Sequence, residues 1–368
     1  MRCLYEAKRK REEGTSRWKP TKHLESTMRN IMLDEMAFSG KCDKGGLGYR
    51  TSKKVEYKKK LSDKSDELDE DARYQHAVQL AMQGQWTKWD KIMNQDTSWK
   101  SLLYGYNPSL LSFALNGVQL TLPTPDNLKR WGKNVSGKCK LCAKDKCTLL
   151  HILAGCYKSL EQGRYTWRHD SILKEFEQAI NQLLEHVNKL PDDQLLKATN
   201  KIQFIDFVKE KEVKKKAART VDGLLFKSND WEMQVDSEQK KLIFPVHVVP
   251  TSQRPDIVLI SNKIKHIIMI ELTSPMEENI AIRNDFKRKK YEGLVDECKQ
   301  AGWIADLFCI EVGARGFISN SVNFTLKRLG FSWKTINRYR NTVSKVALRC
   351  SYAIYLQRNS ECFTKWRT

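Results

Sequence analysis

The chain has 368 residues, 65 Lys and Arg against 44 Asp and Glu for a formal net charge of +21, and 40% hydrophobic content with ten tryptophans. That length accommodates two or three folded domains, and so large a basic excess favours a polyanionic partner, nucleic acid before anionic membrane. The opening "MRCLYEAKRKREEG" is charged where a secretory signal is apolar, and no stretch approaches the ~18 apolar residues of a membrane span, so neither export nor a membrane span is expected. The expectation is a soluble, intracellular protein whose ten cysteines are reduced thiols or metal ligands rather than disulfides. The run Lys8 to Arg11, "KRKR", suits nuclear import.

Residues 1–75 form a charged extension, broken by a tight loop at Gly45, Gly46 and Gly48 and followed by a solvated helix or linker in "KKVEYKKKLSDKSDELDEDARY". Residues 76–135 are expected to be helical and apolar until Pro123 and Pro125 stop the pattern, with Trp86, Trp89 and Trp99 in the core. A cysteine-rich segment and an amphipathic helix from about Ile172 to Leu190 occupy 136–190, and 191–222 is a basic linker and the candidate domain boundary. From 223 to 330 strand-like runs "WEMQV", "RPDIVLI", "HIIMIEL" and "DLFCIEV" are interrupted by one long helix, and 331–368 is helical, basic and aromatic. The fold class is α+β.

The segment "CKLCAKDKCTLLHILAGC" leaves two residues between Cys139 and Cys142, eight between Cys142 and His151, and four between His151 and Cys156. A CxxC turn supplies two ligands and a helix the other pair, which fits a closed tetrahedral Zn²⁺ site that stiffens a module without leaving a catalytic position. Cys147 is expected to be a bystander, and Lys138, Lys140, Lys144 and Lys146 to face phosphates. Just beyond, "GRYTWRHD" gathers Arg164, Tyr165, Trp167, Arg168 and His169. Arginines interleaved with aromatics suit stacking on unpaired bases and phosphate contact, although helix capping and aromatic packing account for the same residues.

In "RPDIVLISNKIKHIIMIEL" two apolar runs flank a polar turn, and each carries one acid, Asp256 and Glu271. A hairpin turn centred between Lys263 and Ile264 sets these acids directly opposite each other on one face. Two like charges there call for a cation, and Mg²⁺ with its preference for one or two carboxylates is the economical choice. Thr273, two residues after Glu271, cannot supply the cation that phosphate hydrolysis requires. The following helix can, because its inward stripe runs Ile280, Lys287, Tyr291, Leu294 and Cys298 with Lys290 beside it, while Arg288 and Lys289 face solvent. A structural ion pair is the alternative to catalysis at this site.

"RPD", fourteen residues and then an acid resembles the motif of the restriction-like endonuclease at the C-terminus of one branch of non-LTR retrotransposons. The knuckle at Cys139, Cys142, His151 and Cys156 has its counterpart there, as have "PDNLKRWG", "GRYTWRHD", "ELTSPMEENI", "KRKKYEGLVDECKQAGW" and "IEVGARGF". Together these cover roughly residues 120–330. The resemblance implies a PD-(D/E)XK nuclease core over 223–330, with a mixed sheet flanked by helices, that nicks DNA with Mg²⁺. Asp256 and Glu271 would be the metal ligands, Lys287 or Lys290 the migrated catalytic lysine, Tyr291 an auxiliary group and Arg254 a nucleic-acid contact. DNA is the expected partner, element RNA a further candidate, and the nucleus the location. No YxDD-like polymerase motif occurs, so the chain looks like the C-terminal fragment of a retrotransposon protein and not a polymerase by itself. A catalytically inactive nucleic-acid-binding relic is the alternative reading.

Overall fold

The computed structural model describes residues 51–89, 105–195, 223–237 and 241–366. The expected glycine loop at 45–48, the basic run at 8–11, Trp99 and most of the basic bridge lie outside them. Two compact units emerge, Met1–Thr87 and Lys88–Thr368. The first contains α1 (Thr51–Gln79), a 29-residue helix whose described side chains are mostly exposed. Its sequence carries no apolar stripe, so solvation and surface pairs such as Arg73–Glu70 at 3.1 Å accompany it, as the charge pattern predicts. Trp86 is exposed, not in a core, because the helix before it offers no apolar face to receive an indole.

In the second unit, α2 (Pro108–Val118) starts at Asn107, whose side chain accepts from Leu110 N at 2.8 Å. The prolines at 123 and 125 do not simply end the helical region. Pro125 opens α3 (Pro125–Arg130), because the first helical position needs no N–H, and Thr124 caps it. Past the cysteine segment come a π-helical turn (His151–Gly155), α4 (Tyr157–Glu161) and α5 (Arg164–Val187). The last begins eight residues ahead of the expected Ile172, directly after Gly163 in the left-handed region (φ 68°). Its first turns were illegible as an amphipathic face because Arg164 and Arg168, polar by type, are on the buried side.

The sheet runs in the order β1-β2-β3-β4, with β1 (Glu232–Val235), β2 (Ile257–Ser261) and β3 (His266–Thr273) antiparallel. Helix α6 (Ile280–Gln300) then crosses to β4 (Ile304–Glu311), which pairs parallel with β3. Helices α7 (Asn320–Leu329) and α8 (Trp333–Leu356) complete the chain. Strands β2 and β3 are buried along nearly their whole length, which explains their unbroken apolar runs: both faces are covered. One face (Ile257, Leu259, Ile268, Ile270, Leu272) joins the core that α5 and α8 share; the other (Val258, Ile260, Ile267, Met269) meets Tyr291, Leu294 and Cys298 of α6. Thus the architecture is α+β, with a small mixed sheet between helices.

The cysteine segment, α5, the sheet and α8 contribute to one continuous apolar cluster. Modules separated at 191–222 were expected from the polar composition there; the elements on either side of that segment instead bury their apolar faces against each other. After β4, Arg315 Nε donates to buried Glu277 Oε2 at 2.6 Å, and its Nη2 reaches Glu278, which is exposed, at 2.5 Å. Gly313 makes this possible, since a Cβ there would stand 2.3 Å from the Glu277 carboxylate. The Arg315 guanidinium also lies 4.3 Å from the ring of half-buried Trp89.

Candidate metal centre and acidic hairpin

The thiols of Cys139, Cys142 and Cys156 and the imidazole of His151 bring their ligand atoms within 4.8 Å of one another. Cys139 Sγ and Cys156 Sγ are 3.9 Å apart, and Cys142 Sγ stands 3.3 Å from His151 Nε2. Four such atoms around one tetrahedral ion with bonds of about 2.0–2.3 Å would be separated by roughly 3.5–3.8 Å, so the cluster is already arranged to bind metal. The loop geometry follows from backbone closure: Cys139 N donates to Lys144 O and Cys147 N to Gly137 O, both at 2.9 Å. Gly137, Ala143 and Lys146 take positive φ to make these turns. His151 sits in the π-helical turn, and Cys156 leaves it in extended conformation directly after Gly155.

Cys147 is buried next to this set but outside it, and burial pushes its thiol up to about 12. Burial likewise raises Cys142 to about 11, whereas Cys156, against its burial, is drawn down by hydrogen bonds from Ser159. His151 falls below its ordinary value through burial and the nearby Lys144, which favours the neutral imidazole a metal requires. The knuckle lysines Lys138, Lys140, Lys144 and Lys146 are all exposed.

At the hairpin, the ladder pairs Ile257 with Ile270 through Ser261 with His266, the register expected from the turn. Continued by one residue, that register sets Asp256 opposite Glu271 on the face covered by α6. Asp256 Oδ2 accepts from Leu272 N at 2.6 Å, which fixes its carboxylate to the end of β3. Glu271 is 2% exposed; Lys287 of α6 donates to its Oε1, and Oε2 is buried without a hydrogen-bond partner. Burial, then the adjacent Asp256, raises the Glu271 pKa above the usual carboxylate range, against the pull of Lys287. That buried oxygen stands beside a second carboxylate at the same end of the hairpin.

The two lysines are not equivalent. Lys287 is half-buried and reaches the acid, but Lys290 is exposed instead of facing the sheet. A position three residues beyond Lys287 has rotated off the inward stripe, and its ammonium folds back to Tyr291 Oη at 2.8 Å. Tyr291 is fully buried and donates to Arg254 O at 2.9 Å, tying α6 to the RPD segment. Burial, reinforced by Glu271, raises its pKa and keeps the phenol protonated. The Arg254 guanidinium is partly exposed and 3.8 Å from Asp236.

Three of the residues assigned to base stacking and phosphate contact are placed differently. Arg164, Trp167 and Arg168 are 0%, 7% and 1% exposed, respectively. Arg164 donates to Gln162, Gln357 O and Ser360 O, and Arg168 to Leu153 O, Ser274 and Ser351. Trp167 packs its ring edge on Phe363 at 5.3 Å. These side chains satisfy carbonyls and fill the core where α5 meets α8 and the chain end, so none is open to nucleic acid. His169 also turns inward: its Nδ1 lies 3.0 Å from Asp170, and Nε2 3.2 Å from Leu272 O and 3.4 Å from Asp256. The contact between α5 and the hairpin acid has no local signature, since 87 positions separate His169 from Asp256.

Among the described residues no helix is long and apolar enough to cross a membrane. Set against known proteins, the chain matches no family model and no curated protein.

Proposed function

We propose that this chain is an Mg²⁺-dependent, retrotransposon-derived endonuclease that nicks DNA by phosphodiester hydrolysis, with a Zn²⁺ ion in the Cys/His cluster as a structural brace. The observation that carries the reading is Glu271: a buried carboxylate opposite Asp256, contacted by Lys287 and left with one oxygen unpaired. Two hard oxygen donors at a strand end suit Mg²⁺, with waters and substrate phosphate completing its coordination. Asp256 and Glu271 would hold it, and the bound ion supplies charge neutralisation at the phosphate and an acidified water. Lys287 opposes the rise in the Glu271 pKa and places a positive charge beside the scissile group. Tyr291 stays neutral and braces the RPD segment through Arg254 O. Three thiols and an imidazole fit Zn²⁺ by ligand softness and number. DNA is the substrate, element RNA a further ligand, and the nucleus the compartment where the substrate resides.

The experiment is nicking of supercoiled plasmid with Mg²⁺ by the full chain and by Asp256→Ala and Glu271→Ala. Nicking by the unaltered chain and its loss in both variants supports the reading; equal activity in all three, or none in any, refutes it.

One observation favours a second reading. Each acid already has a cationic neighbour, Lys287 at Glu271 and His169 at Asp256. Such pairs also suit an inactive nucleic-acid-binding relic in which the site survives as an ion-pair scaffold. DNA binding without nicking, indifferent to Mg²⁺, would establish that reading.

A further inference from the structure

Next to Glu271 in the sheet register stands Cys309 of β4, and beside Cys309 an open cleft of about 290 Å³ lies between α6 and the start of α7. Phe308 and Phe324 line it with ring centroids 6.2 Å apart, and Phe324 is 60% exposed. Asn284, Arg288 and Asn320 add polar groups to the lining. The buried acid Glu311 accepts from Asn284 Nδ2 at 2.6 Å and Ser321 Oγ at 2.7 Å, so both its oxygens have donors within the fold. Of the basic side chains on α6, exposed Arg288 lines the cleft. Arg283 and Lys289 add exposed positive charge along the same helix.

We propose that this cleft binds one unpaired nucleobase of a DNA or RNA strand whose phosphates follow the basic edge of α6. The inference rests on the nuclease reading for the identity of the strand, and it adds where the nucleotide beside the cut is held. The volume is at the small end for ligand sites and suits a single planar ring system, not an extended cofactor. An exposed phenylalanine offers a π-face, Arg288 a planar cation, and the amides of Asn284 and Asn320 edge contacts. A paired base cannot use such a pocket, since its faces are stacked inside the duplex; the strand must be single or the base turned out. The charge complements a polyanion, in keeping with the net +21 of the chain.

The test is fluorescence anisotropy of the full chain with a labelled short single-stranded oligonucleotide and with its duplex, in buffer without added Mg²⁺. Phe324→Ala should weaken single-strand binding about 5- to 100-fold, the range for one lost base stack, and leave duplex binding within about twofold. Phe324→Trp should restore it, and Arg288→Ala should weaken both ligands and flatten the salt dependence. Unchanged duplex binding by Phe324→Ala also shows that the variant is folded. Wild-type affinity of Phe324→Ala for single strands, or an equal loss for both ligands, overturns the proposal. The two readings fail separately. An inactive chain whose single-strand binding still depends on Phe324 retains the cleft without the nuclease, and a nicking chain indifferent to Phe324 retains the nuclease without the cleft.

Discussion

His169 on α5 and Asp256 at the start of β2 stand 3.4 Å apart, with Asp170 holding the other imidazole nitrogen at 3.0 Å. Burial alone would pull the His169 pKa down, but the two carboxylates outweigh it and hold the group up at about 10, against an ordinary 6.5. The contact with Asp256 comes from a helix whose Tyr165 also accepts from Cys156 N at 3.1 Å, so α5 touches both the Cys/His cluster and the hairpin acid.

A histidine whose pKa is raised on folding contributes stability that is fully present below its unfolded value of 6.5 and is lost as pH rises through about 10. His169→Gln should therefore lower the melting temperature most near pH 6, with the gap from wild type narrowing toward pH 10. Thermal melts across that range check it; a gap independent of pH would show that the imidazolium contributes no charge term.

Metal removal should act on the fold and not only on activity. Because Cys139, Cys156 and their neighbours belong to the same apolar cluster as α5 and the sheet, stripping the ion with a chelator should lower the melting temperature of the whole second unit. Elemental analysis should find one zinc per chain, lost in Cys139→Ser and retained in Cys147→Ser, since Cys147 lies outside the ligand set.

The lysines should separate. Lys287→Ala removes the only cation donating to Glu271 among the described residues and should abolish nicking, a loss of at least about 100-fold, with DNA binding within a few-fold of wild type. Lys290→Ala, which frees only Tyr291 Oη from an exposed partner, should cost less than about tenfold. Plasmid nicking and anisotropy on both variants measure the difference; equal losses would contradict the assignment of Lys287.

Arg168→Ala should behave as a core lesion. It removes the Arg168 donors to Leu153 O and Ser274 O, which costs roughly 2–4 kcal/mol. Denaturant unfolding should show that loss, while nucleic-acid affinity at a temperature where the variant is folded should match wild type.

Some of this was legible in the residues themselves. The apolar runs around "SNKIK" and the turn between them fix the β2–β3 register, because a one-residue slip would move every side chain to the other face. The spacing of Cys139, Cys142, His151 and Cys156 fixes a ligand set, because a short turn and a helical turn leave those atoms few places to go. The inward position of Lys287 follows from helical periodicity. These are local properties, carried by backbone geometry over a few turns of chain.

The tertiary structure alone decided which polar groups lie inside. Arg164 and Arg168 carry the composition of a nucleic-acid surface, yet carbonyls from the turn that follows α8 and from the segment after β3 reach them from more than a hundred positions away and satisfy them inside the fold. The pairing of His169 with Asp256 and the cleft beside Cys309 likewise arise where α5, α6 and α7 meet a sheet assembled from separate segments. Type and spacing determine what a residue can do locally; whether it meets solvent or a partner depends on contacts that only the closed fold brings together.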